Sequence, residues 1–254
     1  MVMRPNRIKQ KLAQGETVFV AGGLNDPDLI DQFGTAGFDG VWLEAEHGPV
    51  DFADLSDLSR ACDVWGMTSI VRVNQNEQSV IYRSLDRGVQ GICVPHVNTR
   101  EEAENVGAGG KFAPLGQRGL FVSRQGYGVS DYVQVANEHT LLMVLIEDIV
   151  AVRNLDEILE VDHIDVFFVA PSDLAASMGH IGDINNPEVQ ETIDQTLARI
   201  QARGRVAGRF TTNDNVSKYA AAGVRFLFSL AGHWITSGAA EFMRRATGSD
   251  DESV

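Results

Sequence analysis

Short, densely apolar runs recur along the chain, and amphipathic stretches separate them. The runs begin with "TVFVAG" at Thr17, "FDGVWLEAE" at Phe38, "MTSIVRVN" at Met67 and "GICVPHV" at Gly91. They continue with "LLMVLIED" at Leu141, "IDVFFVAPSD" at Ile164, "RVAGRF" at Arg205 and "VRFLFSLAG" at Val224. Rich in Val, Ile and Phe and edged by Gly or Pro, they read as parallel strands buried on both faces. The stretches between them, such as "DPDLIDQFGTAG", "FADLSDLSRACDVWG", "EQSVIYRSLDRG", "AVRNLDEILEV" and "NPEVQETIDQTLARIQARG", carry helical spacing. Several close on a glycine just past the last turn, a favoured helix stop. Eight strands alternating with helices within about 250 residues predict an α/β protein of the (β/α)₈ TIM-barrel class. The expectation is a single domain over residues 1–254. An open doubly wound sheet would show the same alternation, but no G-x-G-x-x-G turn follows the first run. One glycine-rich insertion, from about Arg100 to Asn137, reads as a functional loop between the fourth and fifth strands.

Composition narrows the partners. A formal net charge of −14 argues against nucleic acids and anionic membranes. It also means that an anionic substrate needs a local positive device, an arginine or a bound cation. Cys62 and Cys93 sit in apolar contexts without motif spacing and read as buried free thiols. The opening residues lack a signal-peptide core, and no apolar run approaches membrane-spanning length. A cytoplasmic protein is expected. The acidic tail, residues 248–254, reads as a frayed end.

In such barrels the chemistry gathers at the carboxyl ends of the strands. There the second strand ends in Glu44, Glu46 and His47, the third in Arg72, and the fourth in Pro95 and His96. The fifth ends in Glu147 and Asp148, the sixth in Ser172 and Asp173. Glu147 and Asp173 follow the two most apolar runs, where an unpaired carboxylate is costly and two together would repel. A divalent cation resolves both problems, and an oxygen-only pair with open positions suits Mg²⁺ or Mn²⁺. The plainer reading is that both acids cap helices starting at "EDIVAV" and "PSDLAAS". His47, beside two carboxylates, reads as a general base or as a structural turn histidine. Arg72 reads as a group that stabilises an enolate oxygen, or as a salt bridge to Glu44 or Glu147. His96 with His47, Glu147 and Asp173 would make a mixed site for Zn²⁺ or Fe²⁺. "GAGG" at Gly107 lacks the rest of a P-loop, and G-x-S-x-G is absent. No lysine ends an inner strand, which argues against a Schiff base.

Taken together, "FDGVWLEAEHGPVD", "IVRVN", "GVQGICVPHVNTREEAE", "PLGQRG", "LIED" and "VAPSDLAASMGHIGDINNPEV" resemble the class II pyruvate aldolases of the HpcH/HpaI family. The resemblance covers the chain from about Gly15 to Ala246 and implies a TIM barrel. It also implies a homo-oligomer, often a hexamer, with a C-terminal helix exchanged between subunits. By this resemblance Glu147 and Asp173 are the metal ligands, and pyruvate chelates the ion. His47 is the base, directly or through a metal-bound water, and Asp86 of a neighbouring subunit orients it. Arg72 holds the keto oxygen and the enolate, and the backbone of Pro171, Ser172 and Asp173 receives the pyruvate carboxylate. Glu44 and Glu46 hydrogen-bond metal-bound water. Three positions depart from the family pattern: Leu145 for a glutamine, Glu44 for an aspartate, and His96 at a place often apolar.

The implied reaction is reversible cleavage of a 4-hydroxy-2-oxo acid into pyruvate and an aldehyde. The cofactor would be Mg²⁺ or Mn²⁺, with Co²⁺ or Zn²⁺ as alternatives. The aldehyde partner is expected to be set by Phe121, Arg124 and Tyr127 of the insertion and by an adjoining subunit. Competing readings are an acyl-CoA ester lyase of the citrate lyase beta or malyl-CoA lyase type, and a non-catalytic barrel that binds an oxo acid.

Overall fold

The computed structural model describes residues 1–248; the acidic end at 249–254, read above as frayed, lies outside the described residues. Eight parallel strands among the described residues close into a barrel in sequence order. They are β1 (Val18–Gly22), β2 (Gly40–Glu44), β3 (Thr68–Arg72) and β4 (Gly91–Val94), then β5 (Leu141–Ile146), β6 (Val166–Val169), β7 (Ala207–Phe210) and β8 (Phe226–Leu230). Each lies inside one of the apolar runs, and β1 pairs with β8 to complete the ring. No helix of the described residues is long and apolar enough to cross a membrane.

Strand alternation divides every run between two apolar layers. Val20, Trp42, Ile70, Cys93, Met143, Phe168 and Phe228 point into the barrel and fill it. Their neighbours, such as Val41, Leu43, Val71, Ile92, Val144 and Phe167, face the surrounding helices. Both sets are almost fully removed from water, which is why the strands read as continuous apolar runs.

The polar opening of the chain forms a helix, Arg7–Ala13, that the apolar-run pattern did not reveal. Ile8 and Leu12, one turn apart, insert into the inner layer and close the amino-terminal end of the barrel. Gly40 makes room for this plug, since a Cβ there would lie 2.7 Å from Ile8 Cδ1 and 2.6 Å from the Thr68 carbonyl oxygen.

The insertion is not the long loop expected. Its first part is a helix, Arg100–Gly110, with a complete capping box between Thr99 and Glu102. Its last part is the helix Tyr132–His139. The glycines of "GAGG" lie in the first helix and allow close packing: a Cβ on Gly110 would sit 2.5 Å from the Leu142 side chain. The irregular stretch between the two helices, residues 111–131, runs beneath the barrel. There Arg118 pairs with Asp86, and Arg124 with Asp63.

Candidate active site at the barrel mouth

Period-two alternation delivers the site. Glu44 lies two residues after the inward Trp42 and Arg72 two after the inward Ile70, so both side chains turn into the mouth. They also stand opposite each other in the β2–β3 register. Arg72 Nε donates to Glu44 Oε2 at 2.7 Å, and its Nη1 lies 3.0 Å from Glu46 Oε2. Glu44 is fully engaged: it also accepts from the Trp42 indole and from the backbone N–H groups of Glu46 and His47. Burial pushes its carboxyl upwards, but the Arg72 hydrogen bond and these amides outweigh burial and hold it below the usual value. Arg72 is therefore salt-bridged to Glu44 and Glu46, and not to Glu147. Glu44 and Glu46 both hold this guanidinium.

Glu147 follows the inward Leu145 by two residues and is 2% exposed. Its Oε1 accepts the backbone N–H of His96 at 2.7 Å and lies 3.2 Å from His96 Nδ1. His96 Nε2 is 3.4 Å from Glu46 Oε1, so this ring spans two carboxylates. His96 adopts a left-handed backbone, φ 55°, rare for a residue with a side chain. That conformation turns its N–H towards Glu147. Burial raises the Glu147 carboxyl above its ordinary value; the His96 amide and ring oppose this, while the charges of Asp173 and Glu46 add to it.

The capping reading falls to a neighbour. Asp148, not Glu147, caps the helix Ile149–Arg153 by accepting from the Val150 N–H at 2.7 Å. Asp173 sits in the first turn of the helix Pro171–Ser177, and among the described residues no side chain caps that helix. His47 is exposed on the loop after β2, with Nε2 3.8 Å from Glu46. Four carboxylates thus surround the mouth, against one guanidinium that two of them already hold. Surplus negative charge, oxygen donors and an open side suit a hard divalent cation.

Glu44, His47, Arg72, Pro171, Ser172 and Asp173 line a cavity of about 570 Å³, and ion pairs of Arg72 and His96 connect Glu46 and Glu147 to it. Trp42, Phe168, Phe210, Phe228 and Leu230 form its apolar walls, and Leu145, 1% exposed, belongs to them. His233, in the first turn of the helix Ala231–Thr247, also lines it. For Phe168, Phe210, Phe228 and Leu230 the signal was available, for they too sit near the carboxyl ends of strands, whereas His233 lies in the helix that follows the last strand.

Within one chain, neither the insertion residues expected to set the aldehyde nor Asp86 reaches the mouth. Arg124 is bound to Asp63 Oδ2 at 2.7 Å and to the Ser59 hydroxyl beneath the barrel, at the end opposite the mouth. Phe121 and Tyr127, both exposed, belong to the same stretch. Asp86 also lies at that end, 2.8 Å from Arg118 Nη2. It can meet a His47 only in a second copy of the chain.

A closed (β/α)₈ barrel with an open, carboxylate-rich mouth is the build of an enzyme acting on small polar molecules. More narrowly, the chain belongs to the HpcH/HpaI aldolase/citrate lyase family, whose model matches residues 17–230. It is 36% identical over 228 residues to a hydroxypyruvate/pyruvate aldolase of Roseobacter denitrificans, covering 87% of this chain and 89% of that one. It is 38% identical over 208 residues to a 5-keto-4-deoxy-D-glucarate aldolase of Salmonella arizonae, covering 80% and 81%. Among solved structures, an HpcH/HpaI aldolase/citrate lyase family protein from Burkholderia cenocepacia superposes with a TM-score of 0.89 at 27% identity, covering 95% of this chain and 99% of that one. The chain is a carbon–carbon lyase of the class II aldolase type, with a divalent cation as cofactor and small molecules as substrates.

Proposed function

We propose that this chain reversibly cleaves 4-hydroxy-2-oxo acids into pyruvate and an aldehyde. The observation that carries the reading is the gathering of Glu44, His47, Arg72 and Asp173 on one open cavity at the barrel mouth, with Glu147 and His96 tied to them through Glu46. In this reading Glu147 and Asp173 hold the cation, Mg²⁺ or Mn²⁺ in preference to Co²⁺ or Zn²⁺ because the donors are oxygens. The ion, when bound, supplies Lewis-acid polarisation of the 2-keto group and charge neutralisation. The uncapped backbone amides of Ser172 and Asp173, after Pro171, receive the pyruvate carboxylate. Arg72, fixed by Glu44 and Glu46, offers its remaining N–H groups to the keto oxygen as negative charge develops there. His47 takes the proton from the C4 hydroxyl as the C3–C4 bond breaks, and a proton returned to C3 completes pyruvate. His96, spanning Glu46 and Glu147, positions the second of these for the cation.

The assembly proposed is a homo-oligomer, a hexamer with its C-terminal helix exchanged between subunits. The helix Ala231–Thr247 exposes Ile235, Phe242 and Met243, and Asp86 lies at the far end of the barrel from its own His47. A cytoplasmic setting fits the free, buried thiols of Cys62 and Cys93.

Metal removal and reloading test the reading. Wild-type protein should lose cleavage of the oxo acid on chelation and regain it with Mg²⁺ or Mn²⁺. Glu147→Gln should neither regain activity nor bind the ion by calorimetry. Undiminished turnover by chelator-treated Glu147→Gln protein would overturn the proposal.

A further inference from the structure

The cavity at the barrel mouth has two unlike sides. Glu44, His47, Arg72 and Asp173 make the side served by β2, β3 and β6. The side served by β7, β8 and the start of the last helix is made by Phe210, Phe228, Leu230 and His233. The rings on that side brace one another. Phe228 stacks on Trp42 with centroids 4.6 Å apart, and Phe210 stands edge-on to both Phe228, at 5.9 Å, and His233, at 5.7 Å. Rings packed in this way form a fixed surface with little freedom to recruit polar groups.

An oxo-acid head seated between Asp173 and Arg72 occupies the polar side and only a small part of the 570 Å³. The space left for the aldehyde is bounded by the aromatic side. We propose that this aldehyde is neutral and carries an apolar substituent, aromatic or branched, seated on Phe210, Phe228 and Leu230. The inference rests on the aldolase reading above and names the substrate class of the same site.

Charge and hydrogen bonding both point this way. Arg72 is the single lysine or arginine among the described residues lining the cavity, and Glu44 and Glu46 already hold it. A carboxylate on the aldehyde would meet no free fixed cation from the cavity's own chain, whose net charge is −14. A polyhydroxylated aldehyde would lose water without enough replacement partners, since that side offers chiefly Asn25 and the His233 ring. Leu145 carries the apolar surface round to the polar side. In the synthetic direction a bond forms between C3 of pyruvate and the aldehyde carbonyl carbon. The proton leaving C3 is balanced by one gained on the carbonyl oxygen, with no change of oxidation state.

The test uses the full chain loaded with Mn²⁺. Initial rates are measured for pyruvate with acetaldehyde, butanal and benzaldehyde, and with the anionic aldehydes glyoxylate and succinic semialdehyde. In the neutral series kcat/KM should rise by about tenfold or more from acetaldehyde to benzaldehyde. The anionic aldehydes should fall below acetaldehyde. Exchange of the pyruvate methyl protons into deuterated water, followed in parallel, needs no aldehyde. Exchange accompanied by preference for the anionic aldehydes overturns this inference and leaves the aldolase reading standing; absence of exchange overturns both. Phe210→Arg and, as a second placement of the charge, Leu230→Lys should each move the benzaldehyde-to-glyoxylate ratio of kcat/KM towards the anion by about tenfold. That ratio does not depend on the fraction of protein folded, and a ratio unmoved in both variants overturns the inference.

Discussion

Glu147 and Asp148 are neighbours in the chain and have opposite fates. Alternation turns Glu147 into the mouth, where burial and other acids raise its carboxyl, while Asp148 accepts the Val150 N–H at the start of a surface helix. A single residue of register thus separates a candidate ligand from a cap. Lys111 offers a sharper test of how burial acts on one charge. It is 3% exposed, with Nζ donating to the carbonyls of Asn137 and Thr140, both at 2.7 Å. Burial, with the charges of Lys9 and Arg118, lowers its pKa to about 8, against partial support from Asp165. The unfolded chain keeps the ordinary value of 10.5, so between these values it binds the proton more tightly than the folded chain does. Stability therefore rises with pH across that window, and below it the full cost of burying the charge is present. Lys111→Met should remove this slope. In urea unfolding, the wild type should gain roughly 2 kcal/mol relative to the variant between about pH 7.5 and about pH 9.5. Parallel stability curves would show that the folded chain holds the Lys111 proton as tightly as the unfolded one, so that burial does not lower its pKa.

At the scale of elements, burial decides what can be read from sequence. The eight strands were legible because both faces of most are largely apolar, and the ionisable cluster was legible because it breaks that pattern at one end. The Arg7–Ala13 helix was not, because only Ile8, Leu12 and the small Ala13 among its seven residues are apolar and no flanking run supports them. Arg124 was misplaced for a different reason. Its partner Asp63 is sixty-one positions away, and nothing local in the sequence announces an ion pair that joins an insertion to the foot of another helix. The same holds for Asp39, which is 1% exposed and gathers the N-terminal helix onto the sheet. Arg7 Nε and Lys11 Nζ lie 2.9 and 3.0 Å from its carboxylate, which also accepts the Phe19 N–H at 3.0 Å. Removing this acid leaves two cations and a strand amide without their shared partner. Asp39→Ala should cost about 2–4 kcal/mol in unfolding free energy. Its first sign should be faster amide exchange across residues 7–13, with the central strands still protected. A loss spread evenly over the barrel would mean that the plug and the sheet unfold as one unit.

On the scale of the whole molecule, the unsolved placement is Asp86. Within its own chain it neutralises Arg118, whose side chain is only 2% exposed and whose guanidinium lies over Phe112 at 4.4 Å. That is a sufficient structural reason for an acid at this position. If it also orients the His47 of a neighbouring subunit, each site is built from two chains, and the two roles give different results on mixing. His47→Ala alone should lose about 10²–10⁴-fold in rate if the histidine is a general base. Asp86→Asn should lose activity too, whether through a weakened Arg118 or through a misdirected imidazole, so the single variants do not separate the roles. Mixed oligomers do. When the two variants are dissociated, combined and reassembled, about a quarter of the sites should pair an intact His47 from one chain with an intact Asp86 from another. Activity should then climb well above that of either parent. If Asp86 acts only inside its own chain, every site keeps a defect and mixing restores nothing. Recovery therefore requires Asp86 and His47 to face each other across a subunit boundary, because no folding defect in one chain is repaired by a histidine missing from the other.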